Sequence, residues 1–466
     1  MEPAYFTKAR QADRVVVDGR TRVDRLLLIG TTSTYLYLEA LKAAVAEAKC
    51  GRDIGQYERA VSALREIVPN DPDATMDNAW VDRVKKQVKS ETDKMELELK
   101  GYKNNLIKES IRMGYDDLGS HYHRIGDLSK SNKAYAQIRE FCTTNTHVVI
   151  MSMHLVNVCI DQRSWFAAQN HVQRIRGGSG LQGYPEAEKN WAKLTAAHGL
   201  ASMAQANYRD AAIELISTDP RMSQAKLDDP EDEEAYNEVL TPNDIAVYGG
   251  LCAMASMSRE ELQKRVLENT DFRNYLELEP HIRRAIQCFV SAKYSQCLKI
   301  LDSYKADYLL DIYLQPHLLQ LYYEIRSKAI RQYFIPFSCV KLSALAQAFN
   351  TDEPTIEKEL AQMIKRGDLQ ARLDLVDRVL LAKKTDGRRE VHADALAAAK
   401  EYERTLHQRF LRMGNILAGL EVKGPKGQGS QGGGFGGSQE VGGFNGVGDL
   451  IGGEGRGGTR SGNAYR

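Results

Sequence analysis

Five short breaks divide the middle of the chain into helical segments and limit what it can fold into. At each break a helical pattern ends, two polar or small residues follow, and a third residue opens the next helix. The breaks are Gly126-Asp127-Leu128, Arg163-Ser164-Trp165, Ala206-Asn207-Tyr208, Ser258-Arg259-Glu260 and Ala292-Lys293-Tyr294. Their third residues lie 37, 43, 52 and 34 positions apart, which is the spacing of stacked helix-turn-helix repeats. Each helix pair buries its apolar face only against its neighbours, so we predict a right-handed superhelix over residues 106–325 rather than an irregular all-helical domain.

The predicted fold class is mainly α. A helical-repeat array of the TPR or HEAT kind is followed by a winged-helix subdomain and a long C-terminal helix. Residues 1–105 are predicted to form an N-terminal helical segment. Within it, Asp77 or Asn78 can cap a helix that opens near Trp80 and runs through a charged stretch to Ser110.

Residues 326–388 are predicted to form the winged helix. Val340-Lys341-Leu342 forms a short strand, and Ser343 caps the helix that follows it. Asp352 caps the second helix, and Gly367 lies where a left-handed C-terminal cap is expected.

Alternation of apolar and polar residues then indicates the two strands of the wing. Leu369, Ala371 and Leu373 point inward on the first strand. A polar corner at Asp377 precedes a second strand through Val379 and Leu381. The edge of this sheet can be extended by a strand of another subunit. The predicted partner-binding residues at this edge are Gln370, Arg372, Asp374 and Arg378.

Residues 389–422 carry the pattern of one more helix, with an apolar residue every third or fourth position. The seam consists of Ala395, Ala399, Tyr402, Leu406, Phe410, Met413, Leu417 and Leu420. About 32 residues at ~1.5 Å each give a rod of roughly 48 Å, longer than a small winged helix can cover. An exposed apolar stripe of this kind predicts partner helices. The predicted partner-binding residues are Tyr402, Leu406, Phe410, Met413, Leu417 and Leu420.

Two segments are too polar or too glycine-rich to contribute to a core. Residues 424–466 contain 18 glycines among 43 positions, so the tail from 423 to 466 is predicted to be disordered. The acidic run at 228–234 is better interpreted as a solvated insertion than as a docking site for a basic partner.

The charge balance argues against a large surface for nucleic acid or anionic membrane. Lys and Arg total 63, and Asp and Glu total 62. The candidate recognition helix, 353–366, pairs three Glu with three basic residues, which is wrong for phosphate contact. Arg372, Arg378, Lys383 and Lys384 do cluster near the wing, but a solvated sheet edge explains them better than nucleic-acid contact. Contact with protein therefore suits this winged helix better.

The best candidate for catalysis is an incomplete metal motif. His121, His123 and Ser131 match part of a metalloprotease pattern that also needs an Asp ligand for zinc. The Asp position is Ala134, and residues two apart point to different faces of a helix. We predict no catalytic residue, no metal site and no cofactor.

Several short sequence segments resemble those of a known protein family. They are IKESIR at 107–112, DDLG at 116–119, GDLS at 126–129, VYGGLCA at 247–253, YLELEP at 275–280, LLDIYL at 309–314 and QYF at 332–334. Together they resemble the PCI family, which includes subunits of the proteasome lid, the COP9 signalosome and a translation initiation factor complex. The resemblance covers about residues 22–422 and points to a signalosome subunit.

The resemblance implies a non-catalytic scaffold in the cytoplasm and nucleus. The family's complex removes the ubiquitin-like modifier Nedd8 from cullins of cullin–RING ligases, and a different, zinc-bearing subunit cleaves the bond. The implied partners are other PCI and MPN subunits, reached through winged-helix edges and a bundle of C-terminal helices, and indirectly the ligases. Neither membrane nor nucleic acid is an expected partner. The alternatives are a proteasome-lid subunit, a winged-helix nucleic-acid-binding regulator and a metallohydrolase at His121 and His123.

Overall fold

The computed structural model describes residues 20–177, 185–221, 236, 239–383 and 387–420. The glycine-rich tail and the acidic run at 228–234 lie outside these ranges. The chain divides into two compact units, Met1–Lys383 and Lys384–Arg466. In the described part of the chain, no helix has the length and apolar character needed to cross a bilayer.

From residue 20 onward, where the description begins, the N-terminal segment has four helices: α1 (Arg20–Thr32), α2 (Tyr37–Cys50), α3 (Ile54–Ile67) and α4 (Asn78–Asn105), with a 3-10 turn at Pro72–Ala74. Helices α1, α2 and α3 share a core around the fully buried Leu41 and Tyr57. The predicted cap of α4 is confirmed, because the Asp77 carboxylate accepts the Trp80 N–H at 3.0 Å. The helix stops short of Ser110, since Leu106 takes a left-handed φ of 55°.

Helix α1 also reaches the distant middle of the chain. The Arg25 guanidinium lies 2.5 Å from the Asp244 carboxylate, which is 219 residues later. Ile29 shares a small buried cluster with Leu310. Burial raises the pKa of Asp244, and the Arg25 charge opposes that rise. The N-terminal segment and the array therefore belong to one compact unit.

Twelve further helices follow in the described residues of this unit before the sheet begins. They are α5 (Lys108–Ile125), α6 (Leu128–Ile138), α7 (Asn145–Asp161), α8 (Trp165–Gly177), α9 (Pro185–Ala204), α10 (Tyr208–Ile216), α11 (Pro242–Ser256), α12 (Arg259–Glu261), α13 (Thr270–Leu278), α14 (Pro280–Val290), α15 (Tyr294–Tyr308) and α16 (Gln315–Phe334). A 3-10 turn at Arg139–Phe141 follows α6, and a π-helix at Leu262–Leu267 follows α12.

Four of the five predicted breaks adopt one turn geometry. Gly126, Arg163, Ala206 and Ala292 all have left-handed φ angles, between 58° and 93°. In each case the next N–H donates to the carbonyl five residues earlier. These bonds are Asp127 to Tyr122 (3.0 Å), Ser164 to Cys159 (2.8 Å), Asn207 to Ser202 (3.0 Å) and Lys293 to Cys288 (2.8 Å). This is the Schellman motif, and it satisfies the last carbonyls of each helix.

The fifth break, at Ser258, differs from the prediction. Ser258 and Glu261 form a capping box, in which each side chain accepts the other residue's N–H. The new helix therefore begins at Arg259, one residue before the predicted Glu260, and no left-handed residue precedes it.

The winged helix shares one apolar core with the array. The core cluster extends from Val149 through the array to Leu380. At the junction, Phe349 stacks on Tyr294 at 5.9 Å and meets Tyr333 edge-on at 5.7 Å. Helix α16 runs straight through the predicted domain boundary at 325/326.

The predicted winged helix is confirmed. It consists of β1 (Cys339–Lys341), α17 (Leu342–Phe349), α18 (Glu353–Arg366), β2 (Ala371–Asp374) and β3 (Val379–Ala382). The antiparallel sheet has the order β1-β3-β2, with Leu380 opposite both Val340 and Leu373. Strand β2 is therefore an edge of the sheet.

Of two predicted caps in the winged helix, Ser343 is wrong and Asp352 is correct in position only. Lys341 occupies the capping position of α17, so Leu342 opens the helix and Ser343 lies within its first turn. Asp352 occupies the predicted position before α18 but makes no capping hydrogen bond. Gly367 closes α18 in the left-handed conformation, as predicted.

The described residues of the second unit, 387–420, form one long helix, α19 (Gly387–Leu417). Gly419 ends it with a left-handed φ of 68°, and the Leu420 N–H donates to the Asn415 carbonyl at 3.0 Å. This is again a Schellman motif. Leu420 therefore lies beyond the helix, which corrects its predicted place in the helical seam.

Candidate assembly surfaces

The seam of α19 lies open to solvent. Tyr402, Phe410, Met413 and Leu417 are exposed, with Leu417 at 87%, and Leu406 is half-buried. Keeping such large apolar side chains in water costs about 25 cal/mol per Å² of apolar surface, relative to burying them. No other described residue of its own unit covers this face of α19, which is typical of a surface that binds another helix.

Two further residues extend this seam and were missing from the prediction. Val391 lies four residues before Ala395, and Ile416 lies three residues after Met413. Both are exposed apolar residues. Each lies three or four residues from a seam residue, so the sequence alone could have placed both of them in the seam.

The four residues near the edge strand β2 that are predicted to bind a partner have different environments. Gln370 and Arg372 are exposed. Asp374 instead holds the wing turn, because its carboxylate accepts the Val376 N–H at 2.9 Å. Arg378 donates to the Glu353 carboxylate at 3.1 Å. Of the four, Gln370 and Arg372 are therefore the exposed side chains with no hydrogen bond to another described residue, and they lie beside the backbone of β2.

The tip of the wing is apolar. Leu375 and Val376, between β2 and β3, are 60% and 92% exposed. The sequence prediction treated this region only as a polar corner at Asp377. A nucleic-acid-binding wing needs cationic side chains for phosphate, whereas two exposed aliphatic side chains favour contact with protein.

The charges near α18 are largely paired within the unit. Glu359 accepts from the Arg326 guanidinium at 2.9 Å, and Glu353 pairs with Arg378. The Arg366 guanidinium lies 4.6 Å from the centre of the Tyr323 ring. This helix therefore does not present a one-sided basic face to a duplex.

The two histidines of the incomplete metal motif have separate partners. The His121 ring is buried, and its Nε2 lies 2.9 Å from the Thr92 hydroxyl. The His123 Nε2 lies 2.7 Å from the Asp161 carboxylate. Burial lowers the pKa of His121. Across the residues that the structure covers, no three His, Cys, Asp or Glu side chains are placed to hold a metal ion.

A helical array whose core continues into a winged helix is the architecture of the PCI class. Comparisons with known families match both parts of the chain. The family model described as "PCI domain" matches residues 301–384. The model described as "26S proteasome subunit RPN7" matches residues 77–265. The chain is thus a helical-repeat protein of the PCI class.

The relatives narrow the class further. The chain is 50% identical to "COP9 signalosome complex subunit 1" of Emericella nidulans over 87% of its own length and 81% of the relative. It is 36% identical to the Arabidopsis thaliana protein of the same name, over 87% and 89%. The chain belongs to the COP9 signalosome complex subunit 1 family.

Similarity to a proteasome protein is weaker. The chain is 21% identical to "26S proteasome non-ATPase regulatory subunit 6" of Caenorhabditis elegans, over 70% of this chain and 78% of the relative. The resemblance to a signalosome subunit that the sequence strings carried is therefore confirmed.

Proposed function

We propose that this chain is a non-catalytic scaffold subunit of a COP9 signalosome. In this role it supports the removal of Nedd8 from cullins by a separate zinc-bearing subunit, and so regulates cullin–RING ubiquitin ligases. Its direct partners are other PCI and MPN subunits of the complex. It works in the cytoplasm and the nucleus, and fractionation of cells that express a tagged full chain tests this location.

The exposed apolar face of α19 carries the proposal. A 31-residue helix with this face uncovered gains stability by entering a bundle of partner helices. The open edge of β2, beside Gln370 and Arg372, supplies a second contact by strand addition. The 50% identity to a protein named as a signalosome subunit supports the signalosome as the complex that these surfaces enter.

The sharpest test uses two neighbouring residues of α19. Phe410 lies in the seam, and Leu411 lies about 100° away around the helix, yet both are exposed. Phe410→Glu places an unpaired carboxylate in the proposed bundle, which costs several kcal/mol. We expect at least about a tenfold loss of co-purified PCI and MPN subunits, on the same principle.

Leu411→Glu is the matched control, because it adds the same charge outside the seam. We expect it to recover partners like the unsubstituted chain. Equal recovery by both variants would contradict the seam assignment. A chain that ends before Asp386 should likewise lose its partners, whereas one that ends at Lys423 keeps them.

A proteasome-lid subunit is the second candidate, and the RPN7 model match at 77–265 favours it. Mass spectrometry of a native pull-down separates the two candidates. Signalosome subunits without proteasome base subunits support our proposal, and base subunits in the pull-down overturn it.

A further inference from the structure

A polar cleft lies in the array, between α8 and α10, with α9 as its floor. Its volume is about 220 Å³. It is lined chiefly by Gln169, Gln173, His198, Ser202, Asn207 and Asp210. The cleft belongs to neither of the assembly surfaces described above.

The floor of the cleft contains a buried imidazole with unused hydrogen-bonding capacity. His198 is only 9% exposed, and neither ring nitrogen has a hydrogen-bond partner within the described ranges. Its Nδ1 is 3.5 Å from Glu214, but the Arg176 guanidinium already binds that carboxylate at 2.6 and 2.7 Å. A buried polar group left unpaired costs about 1–3 kcal/mol, so this ring is suited to a ligand.

The lining favours a cationic ligand. Asp210 and Glu214 both face the cleft, and no Lys or Arg is among the described residues that line it. Arg176, which lies beside it, is neutralised by its two bonds to Glu214. Burial lowers the pKa of His198, so the ring is neutral near pH 7 and offers an acceptor nitrogen.

We propose that this cleft binds the cationic end of a lysine or arginine side chain from a protein partner. The ammonium or guanidinium group donates to a ring nitrogen of His198 and to the Asp210 carboxylate. Gln173 and Asn207 also line the cleft, and their carboxamide oxygens are further acceptors. The array thereby gains a specific contact that is independent of α19.

The test uses the full chain with ¹³C-labelled histidine. The probes are Nα-acetyl-lysine methylamide and Nα-acetyl-arginine methylamide, with the norleucine and glutamate analogues as controls. The His198 imidazole signal is identified by its loss in His198→Gln. We expect a saturable shift of this signal with at least one cationic probe and none with the norleucine or glutamate analogue. The probe that binds more tightly identifies the side chain.

Asp210→Asn provides the second arm, because Asp210 is exposed and its substitution leaves the core intact. We expect roughly tenfold weaker binding, since a hydrogen bond to a charged group contributes about 1.5–3 kcal/mol. Glu58→Gln, on the exposed face of α3, is the matched control and should bind like the unsubstituted chain. The proposal is overturned if neither cationic probe shifts the signal, if the neutral or anionic probe binds equally well, or if Asp210→Asn has no effect.

Discussion

The unit that ends at Lys383 and the helix α19 treat their apolar residues in opposite ways. In the first unit, aromatic side chains such as Tyr57, Phe272 and Phe289 are almost fully removed from water. In α19, Tyr402 and Phe410 are each 65% exposed. The first unit therefore buries its large apolar side chains in its own core, whereas the apolar face of α19 stays in water, as expected of the partner-binding surface that we propose.

The largest effect is expected when one phenylalanine in each region, buried in the first unit and exposed in α19, is replaced by alanine. Phe289→Ala should lower the free energy of unfolding by about 3–5 kcal/mol, because it leaves a cavity in the shared core. Phe410→Ala should change the unfolding of the isolated chain by less than about 0.5 kcal/mol. Urea unfolding followed by circular dichroism measures both. A similar loss in the two variants would mean that α19 is part of a core in the isolated chain.

Glycine positions sharpen the contrast, because the expected effects have opposite signs. A Cβ added at Gly250 would overlap Cγ2 of the buried Ile282, whereas one added at Gly414 meets no atom within 4 Å. We expect Gly250→Ala to destabilise the chain by about 1–3 kcal/mol through overpacking. Gly414→Ala should stabilise α19 by up to about 1 kcal/mol through helix propensity. Thermal unfolding and helical content check the two signs.

The last expected effect, which develops gradually with pH, concerns a buried lysine. The Lys328 ammonium caps α11 by donating to the Met254 carbonyl at 2.8 Å and to the Met257 carbonyl. Burial lowers the pKa of Lys328 to about 8, from 10.5. Between these values the unfolded chain binds the extra proton, so this residue's contribution to stability rises with pH.

The measurement is the difference in unfolding free energy between the unsubstituted chain and Lys328→Met. We expect this difference to rise by roughly 1 kcal/mol per pH unit between pH 8 and 9.5. Taking the difference cancels the buried cysteines, whose pKa values are raised and whose effect on stability has the opposite sign. Lys400→Met, on the exposed α19, should give a flat difference, since its side chain is solvated before and after unfolding.

Features set by a few neighbouring residues could be predicted from the sequence. The turns at Gly126, Arg163, Ala206 and Ala292 depend on local hydrogen bonds, so their positions were clear without tertiary information. The Ser258 turn was misplaced because Ser258 and Glu261 form a capping box, and a capping box fixes the helix start by itself. The apolar spacing alone predicts Leu420 in the seam, but Gly419 takes a left-handed conformation and ends the helix before it.

Features that join distant parts of the chain could not be predicted in this way. The pairing of Arg25 with Asp244 has no local pattern, and both residues are ordinary surface types when taken alone. Among the described residues, the lack of a hydrogen-bond partner for the His198 ring depends on the three helices that enclose it. Likewise, the alternating pattern predicts that Asp374 points outward, yet its carboxylate accepts the Val376 N–H and holds the wing turn. Periodicity shows which face a residue occupies but not which partner it finds there.

The contact between α1 and the middle of the array has a consequence during synthesis. Arg25 emerges from the ribosome 219 residues before Asp244. At 5–20 residues per second, roughly 11–44 s pass before its partner exists. The array can assemble pair by pair behind it, because each turn closes with its own neighbours. Helix α1 packs against α2 and α3 as soon as they are made, but its Arg25 face docks late and remains open to chaperones and proteases during that interval.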